Sequence, residues 1–171
     1  MTKLQARAAR IKLMAFDIDG VMTDGRLYYT EDGKEIKAFC TLDGQGLRLL
    51  QQAGIEQAII TGRVSGAVAA RARDLEIPHL FQGVADKHAC MRALLEQLRL
   101  SWESAGYMGD DLIDLPVLRA VGFAAAPANA HARVLAETAE AGFVTTAKGG
   151  EGAVREVCDF ILAAQGAREA P

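Results

Sequence analysis

The sequence predicts an α/β fold built on a mostly parallel sheet, and three observations carry that prediction. Short apolar runs of strand length recur along the chain. Amphipathic stretches of helical spacing lie between them. One segment alone, residues 26–39, breaks the alternation and reads as a β-hairpin. Strand–helix alternation places parallel strands in one sheet with helices covering both faces. The expected architecture is therefore a Rossmann-like three-layer α/β/α domain with a β-hairpin insertion after the first strand.

The elements follow in order. Ile11-Lys12-Leu13-Met14-Ala15-Phe16 ends in four consecutive apolar residues, as a strand buried on both faces requires. Leu27–Thr30 and Lys34–Phe39 flank Glu31-Asp32-Gly33, and Asp-Gly is a strong hairpin turn signal. Gly46–Ala53 carries Leu47, Leu49 and Leu50 and ends at Gly54, a C-cap residue type. Ala58–Ile60 is the next core strand, and Ser65–Leu75 a helix that stops before Pro78. Lys87–Leu100 places Cys90, Leu94, Leu95 and Leu98 at helical spacing. Strands at Ala105–Met108, Phe123–Ala126 and Phe143–Thr145 alternate with helices at Ile113–Ala120, Ala130–Ala141 and Gly152–Gln165. The tail after Gly166 reads as frayed.

Composition bounds the rest. The 171 residues are 50% hydrophobic and 24% charged, enough for one domain, residues 1–171, with its own core. A net charge of −3 is a poor match to a general nucleic-acid binder. No apolar run is long enough to cross a bilayer, and the N-terminus leads into no signal-type segment. The expectation is a cytoplasmic protein with no membrane partner. Cys40, Cys90 and Cys158 are odd in number and share no metal-ligand spacing, as expected of reduced thiols.

Four clusters concentrate the chemistry. Asp17-Ile18-Asp19-Gly20-Val21-Met22-Thr23-Asp24-Gly25 directly follows the first strand. Two carboxylates at a strand's carboxyl end repel, and a divalent cation relieves them; an Asp/Gly-rich turn gives the same pattern without function. Thr61-Gly62-Arg63 at the next core strand offers a hydroxyl, a flexible amide and a guanidinium to an anion, or makes an ordinary turn. Lys87 opens a helix and, alone, is a solvated surface residue. Gly109-Asp110-Asp111-Leu112-Ile113-Asp114 crowds three acids at a strand end, which suits a hard cation or a helix N-terminus. Because parallel strands share one carboxyl edge, these groups meet in one crevice. Together they suit phosphoryl transfer through an aspartyl-phosphate.

The ordered set Asp17-x-Asp19, Thr61, Lys87 and Gly109-Asp110-Asp111-x-x-Asp114 resembles the four motifs of the haloacid dehalogenase superfamily of phosphatases. More narrowly, the Asp17–Gly25 run, the hairpin, Thr61-Gly62-Arg63 with Arg71, and Gly149-Gly150-Glu151-Gly152-Ala153-Val154-Arg155-Glu156 are similar to the phosphatases of 3-deoxy-D-manno-octulosonate 8-phosphate (KDO 8-phosphate).

The resemblance implies roles. Asp17 attacks phosphorus. Asp19 protonates the leaving oxygen and then activates water. Mg²⁺ is held by the Asp17 carboxylate, the Asp19 carbonyl and Asp110, with Asp111 and Asp114 supporting that shell. Thr61, Gly62 and Lys87 lie against the phosphoryl group. Arg63 and Arg71 match arginines near the substrate carboxylate. Cys40, Thr41, Leu42, Asp43, Gly44 and Arg48 fall where the family lines its pocket. Leu42 departs from the family pattern, which commonly places a basic residue before the Asp-Gly pair. The implied partners are a sugar-acid phosphate and further copies of the chain in a homotetramer centred on the hairpins, since about 35 residues between Gly25 and Thr61 leave no room for a large cap domain. From the residues alone the hairpin packs either on its own domain or on a neighbour. Arg63 favours an eight-carbon over a nine-carbon, sialic-acid-like substrate. A phospho-signalling receiver uses the same residue types in a different order, and intact Asp17 and Asp19 argue against a non-catalytic scaffold.

Overall fold

A computed structural model describes residues 1–166 of the chain, so the expectation of a frayed tail lies outside the described residues. Six parallel strands form the central sheet: β1 (Leu13–Phe16), β4 (Glu56–Ile60), β5 (His79–Phe81), β6 (Ala105–Met108), β7 (Phe123–Ala126) and β8 (Phe143–Val144). Their spatial order is β5-β4-β1-β6-β7-β8. The chain runs outward from β1 to β4 and β5, then returns to β1's other side for β6. This makes β1 the point where strand order reverses, and the crevice at the carboxyl ends there is the expected ligand site.

Side chains alternate across the sheet and divide the core in two. Met14, Phe16 and Ile59 face α1 (Lys3–Ala8), α2 (Thr41–Gln52), α3 (Gly66–Asp74) and α7 (Ala153–Ala164) through Ala8, Leu47, Leu50, Val68, Val157 and Ile161. Leu13, Ala15, Ala58 and Ile60 face α4 (Lys87–Leu98), α5 (Leu115–Ala120) and α6 (Ala132–Ala141) through Met91, Leu94, Leu95, Val117 and Val134. The three-layer α/β/α architecture is as the strand–helix alternation predicts.

Several boundaries differ from the sequence reading. The short β5 and α1 were not anticipated; α1 is announced only by a capping box between Thr2 and Gln5. The helix expected from Gly46 begins at Thr41. Its first two turns hold Asp43, Gly44 and Gly46, poor helix formers by intrinsic propensity, but packing overrides propensity. A Cβ on Gly46 would sit 3.0 Å from Arg155 Cδ and 3.1 Å from Cys158 Cβ, so glycine lets α2 and α7 approach closely. The segment before α5 is a 3₁₀ turn, Leu112–Asp114. The hairpin pairs fewer residues than expected, β2 (Tyr28–Tyr29) with β3 (Glu35–Ile36).

Candidate active site

Asp17 leaves β1 with its amide donating 3.0 Å to the Met108 carbonyl, so it is the first residue past the sheet edge. The loop behind it closes tightly. The amides of Val21, Met22 and Thr23 all donate to the Ile18 carbonyl. The buried Thr23 hydroxyl accepts from Gly20 and Gly25 amides at 3.4 and 3.3 Å. Gly20 has φ +92°, and a Cβ there would meet Asp110 Oδ2 at 2.0 Å; glycine is thus what lets the two acidic loops touch. Gly149 closes the loop from the other side, its missing Cβ 1.8 Å from the Gly20 carbonyl oxygen. Its amide donates to Asn129 Oδ1 at 2.7 Å, and the Gly150 amide donates to the Val21 carbonyl at 3.0 Å.

Asp114 organises the second acidic loop. Its carboxylate, fully buried, accepts from the amides of Asp110 and Asp111 at 3.1 Å each, from Lys87 Nζ at 2.7 Å and from the Tyr107 hydroxyl at 2.7 Å. Lys87 Nζ also lies 2.9 Å from Asp17 Oδ2. Carboxylate oxygens of Asp17, Asp110 and Asp114 lie within 4.8 Å of one another. Burial is the main cause that raises Asp17 to about 6, with Lys87 opposing it and Asp114 adding to it. Burial likewise raises Asp110 to about 7, reinforced by Asp17, Asp114 and Asp111. Burial works against the Lys87 charge, but Asp17 and Asp114 outweigh it and raise its pKa. Crowded, buried carboxylates are a donor set that a hard dication relieves, and they fit Mg²⁺.

The structure brings Asp17, Lys87, Asp110 and Asp114 into direct contact, with Thr61 buried at the neighbouring strand end. The Asp111 side chain instead caps the 3₁₀ turn, accepting from the Leu112 amide at 2.7 Å. Asp19 turns toward the hairpin, paired with Lys37 and with Arg63 Nε at 3.7 Å. Arg63 also donates to Glu35 Oε1 at 2.8 Å, beside Gly62 at the helix entrance.

Arg71 reaches back over Gly44 to the Cys40 carbonyl at 3.4 Å, and its guanidinium lies 5.8 Å from the Phe39 ring centroid. Its Nε is buried with no hydrogen-bond partner among the described residues. Asp43 is buried and caps α7 through the Arg155 amide at 2.9 Å. Thr41 and Leu42 are exposed at the start of α2. Arg48 is not brought to this edge within the chain: it donates to the Asp74 carbonyl at 3.1 Å, at the far end of α3.

Sequence reasoning missed Lys37, Glu35 and Tyr107. Glu35 and Lys37 are two residues apart on β3 and its continuation, a spacing that places both on one face of the hairpin. Tyr107 reads as one more apolar strand residue.

A nucleophile-type Asp17 two residues before Asp19, a hydroxyl and an ammonium at neighbouring edge positions, and an acidic pocket beside them define a phosphoric monoester hydrolase of the haloacid dehalogenase type. Comparisons with known proteins narrow the class. No family model matches the chain. The 3-deoxy-D-manno-octulosonate 8-phosphate phosphatase KdsC of Yersinia pestis is 49% identical over 159 residues, covering 93% of this chain and 83% of the relative. The crystal structure of the Yersinia pestis phosphatase superposes with a TM-score of 0.94 at 47% identity, over 98% of this chain and 89% of that one. The Moraxella catarrhalis phosphatase, solved with magnesium ion, phosphate ion and KDO, gives 0.92 at 43% identity, over 97% of this chain and 94% of that one. The chain belongs to the KDO 8-phosphate phosphatase family.

Proposed function

We propose that this protein hydrolyses KDO 8-phosphate to KDO and inorganic phosphate through an aspartyl-phosphate on Asp17, supplying a precursor of lipopolysaccharide in the cytoplasm. The substrate reading rests on the match along 93% of the chain to a relative named for that reaction. The chemistry rests on Asp17 and Lys87 in contact at the edge of β1.

In the first step an Asp17 carboxylate oxygen bonds to phosphorus while the bond from phosphorus to the sugar oxygen breaks, and Asp19 gives that oxygen its proton. In the second step Asp19 takes a proton from water as the water oxygen bonds to phosphorus and the bond to Asp17 breaks. Lys87 offsets charge on Asp17 and, with the Thr61 hydroxyl and Gly62 amide, holds the phosphoryl oxygens. Asp17, Asp110 and the Asp19 carbonyl would hold Mg²⁺, which when bound neutralises charge on the phosphoryl group. Asp114 and Asp111 keep that loop in place. The buried, unpartnered Arg71 Nε supports a role for Arg71 at the substrate carboxylate.

The hairpin supports a homotetramer. Tyr28 pairs with Ile36, so the two share a face, and they are 40% and 51% exposed. Packing these faces together would bring neighbouring subunits over open active sites.

The test is phosphate release from KDO 8-phosphate, a nine-carbon sugar-acid 9-phosphate and p-nitrophenyl phosphate, with Mg²⁺ and with chelator. A large kcat/KM preference for KDO 8-phosphate, lost on chelation, is expected. Equal, metal-dependent activity on all three would remove the substrate assignment, and preference for the nine-carbon ester would replace it.

A further inference from the structure

The hairpin carries a buried charge that its role as a contact surface does not need. The Lys37 side chain is 2% exposed. Its ammonium bonds one oxygen of Asp19 and lies 3.2 Å from Glu35 Oε1. Glu35 in turn accepts from Arg63 at 2.8 Å, and Arg63 Nε lies 3.7 Å from the second Asp19 oxygen. Two basic and two acidic side chains thus close a ring. Three of its members, Glu35, Lys37 and Asp19, come from the hairpin and the motif it follows.

Among the described residues, no hydrogen bond to the Asp19 carboxylate comes from its own loop. Asp19 precedes Gly20, which sits at φ +92°, and the hydrogen bond to its carboxylate comes from Lys37. Proton transfer to a leaving oxygen requires the acid within hydrogen-bond reach and correctly aimed. A carboxylate free to rotate fails that requirement for much of the time. An exposed ion pair on a hairpin contributes little to stability and would leave the lysine in water. A lysine withdrawn from water and held between Glu35 and Asp19 fits preorganisation instead.

We propose that Lys37 is a positioning residue for catalysis: by holding Asp19 from the hairpin, it aims that carboxylate at the leaving oxygen of the phosphate ester. The hairpin then has two working faces. Tyr28 and Ile36 face outward, while Glu35 and Lys37 face the site. The proposal rests on Asp19 as the acid of the first step.

The experiment separates the two claims by leaving group. An alkyl ester such as KDO 8-phosphate needs a proton on its departing oxygen, whereas p-nitrophenolate departs without one. With enzyme in excess, release of the alcohol or phenol in a single turnover reports the first step alone. Lys37→Met is expected to slow KDO release at least tenfold more than p-nitrophenol release, with little change in the enzyme concentration giving half-maximal rate. Lys37→Arg, which keeps a donor and a charge, recovers part of that loss. Equal slowing for both esters, a change confined to substrate affinity, or no recovery with arginine would overturn the proposal. Asp19→Asn is run in parallel. If it shows the leaving-group dependence and Lys37→Met does not, Lys37 alone is misassigned. If Asp19→Asn lacks it, the acid role of Asp19 falls and the proposal falls with it.

Discussion

Lys87 and Asp17 are seventy positions apart in the sequence, yet Nζ of one lies 2.9 Å from Oδ2 of the other. Nothing local makes this pair. Asp17 follows β1 and Lys87 starts α4, and only a parallel sheet delivers both to one edge.

Lys87→Met should therefore harm both chemistry and fold. Loss of one preorganised charge at a reacting group lowers kcat by about two to three orders of magnitude. The variant also strands two buried carboxylates, because Asp114 lies 2.7 Å from the same ammonium. Breaking a buried pair this way costs about 3 kcal/mol. Urea denaturation without metal reads that loss, and added Mg²⁺ should recover part of it.

The acidic pocket makes stability depend on pH. Asp17 and Asp110 are raised from 3.8 to about 6 and about 7, so the folded chain holds more protons than the unfolded chain across that interval. Stability without metal is then lost as pH rises from near 4 through 7. Mg²⁺ binds the ionised carboxylates, so its stabilisation grows over the same range. Melting curves at pH 5.5 and 8, with and without Mg²⁺, check this. A metal-free Tm that climbs toward pH 8 would show that the pocket does not dominate.

Tyr107→Phe tests the support beneath the pocket. The hydroxyl donates 2.7 Å to a carboxylate oxygen with no access to water. Its removal should cost about 1–2 kcal/mol. Mg²⁺ activation should weaken by about tenfold, as happens when a group orienting a metal site is lost. Urea unfolding and a Mg²⁺ titration of kcat measure the two effects.

Legibility in the sequence followed the backbone. Asp17, Thr61, Lys87 and Asp110 could be placed because strand ends in a parallel sheet must share an edge, whatever the side chains do. Lys37 could not, because its burial depends on the hairpin folding back over Asp19, a tertiary event with no periodic trace. Arg48 reads as a pocket residue by position but bonds the Asp74 carbonyl, since it lies on the face of α2 turned toward α3. α1 has six residues and a single buried member, Ala8, too little pattern to stand out.

The outward hairpin face should control assembly. Ile36→Asp places a charge where the proposed tetramer buries an apolar patch, and it leaves Lys37 on the opposite face. Size-exclusion chromatography with light scattering should report a species smaller than the wild-type protein gives, with reduced turnover. An unchanged mass would move the proposed interface elsewhere.

In the proposed reaction phosphorus passes through Asp17. The direct measurement is to quench a reaction with KDO 8-phosphate in acid within one turnover, reduce the protein with tritiated borohydride, and sequence the tritium-labelled region. An aspartyl-phosphate at this position is converted to homoserine, so homoserine at position 17, absent from Asp17→Asn, is the predicted result. Tritium on another residue, or full turnover with no trapped phosphoryl enzyme and an active Asp17→Asn, would remove Asp17 as the nucleophile.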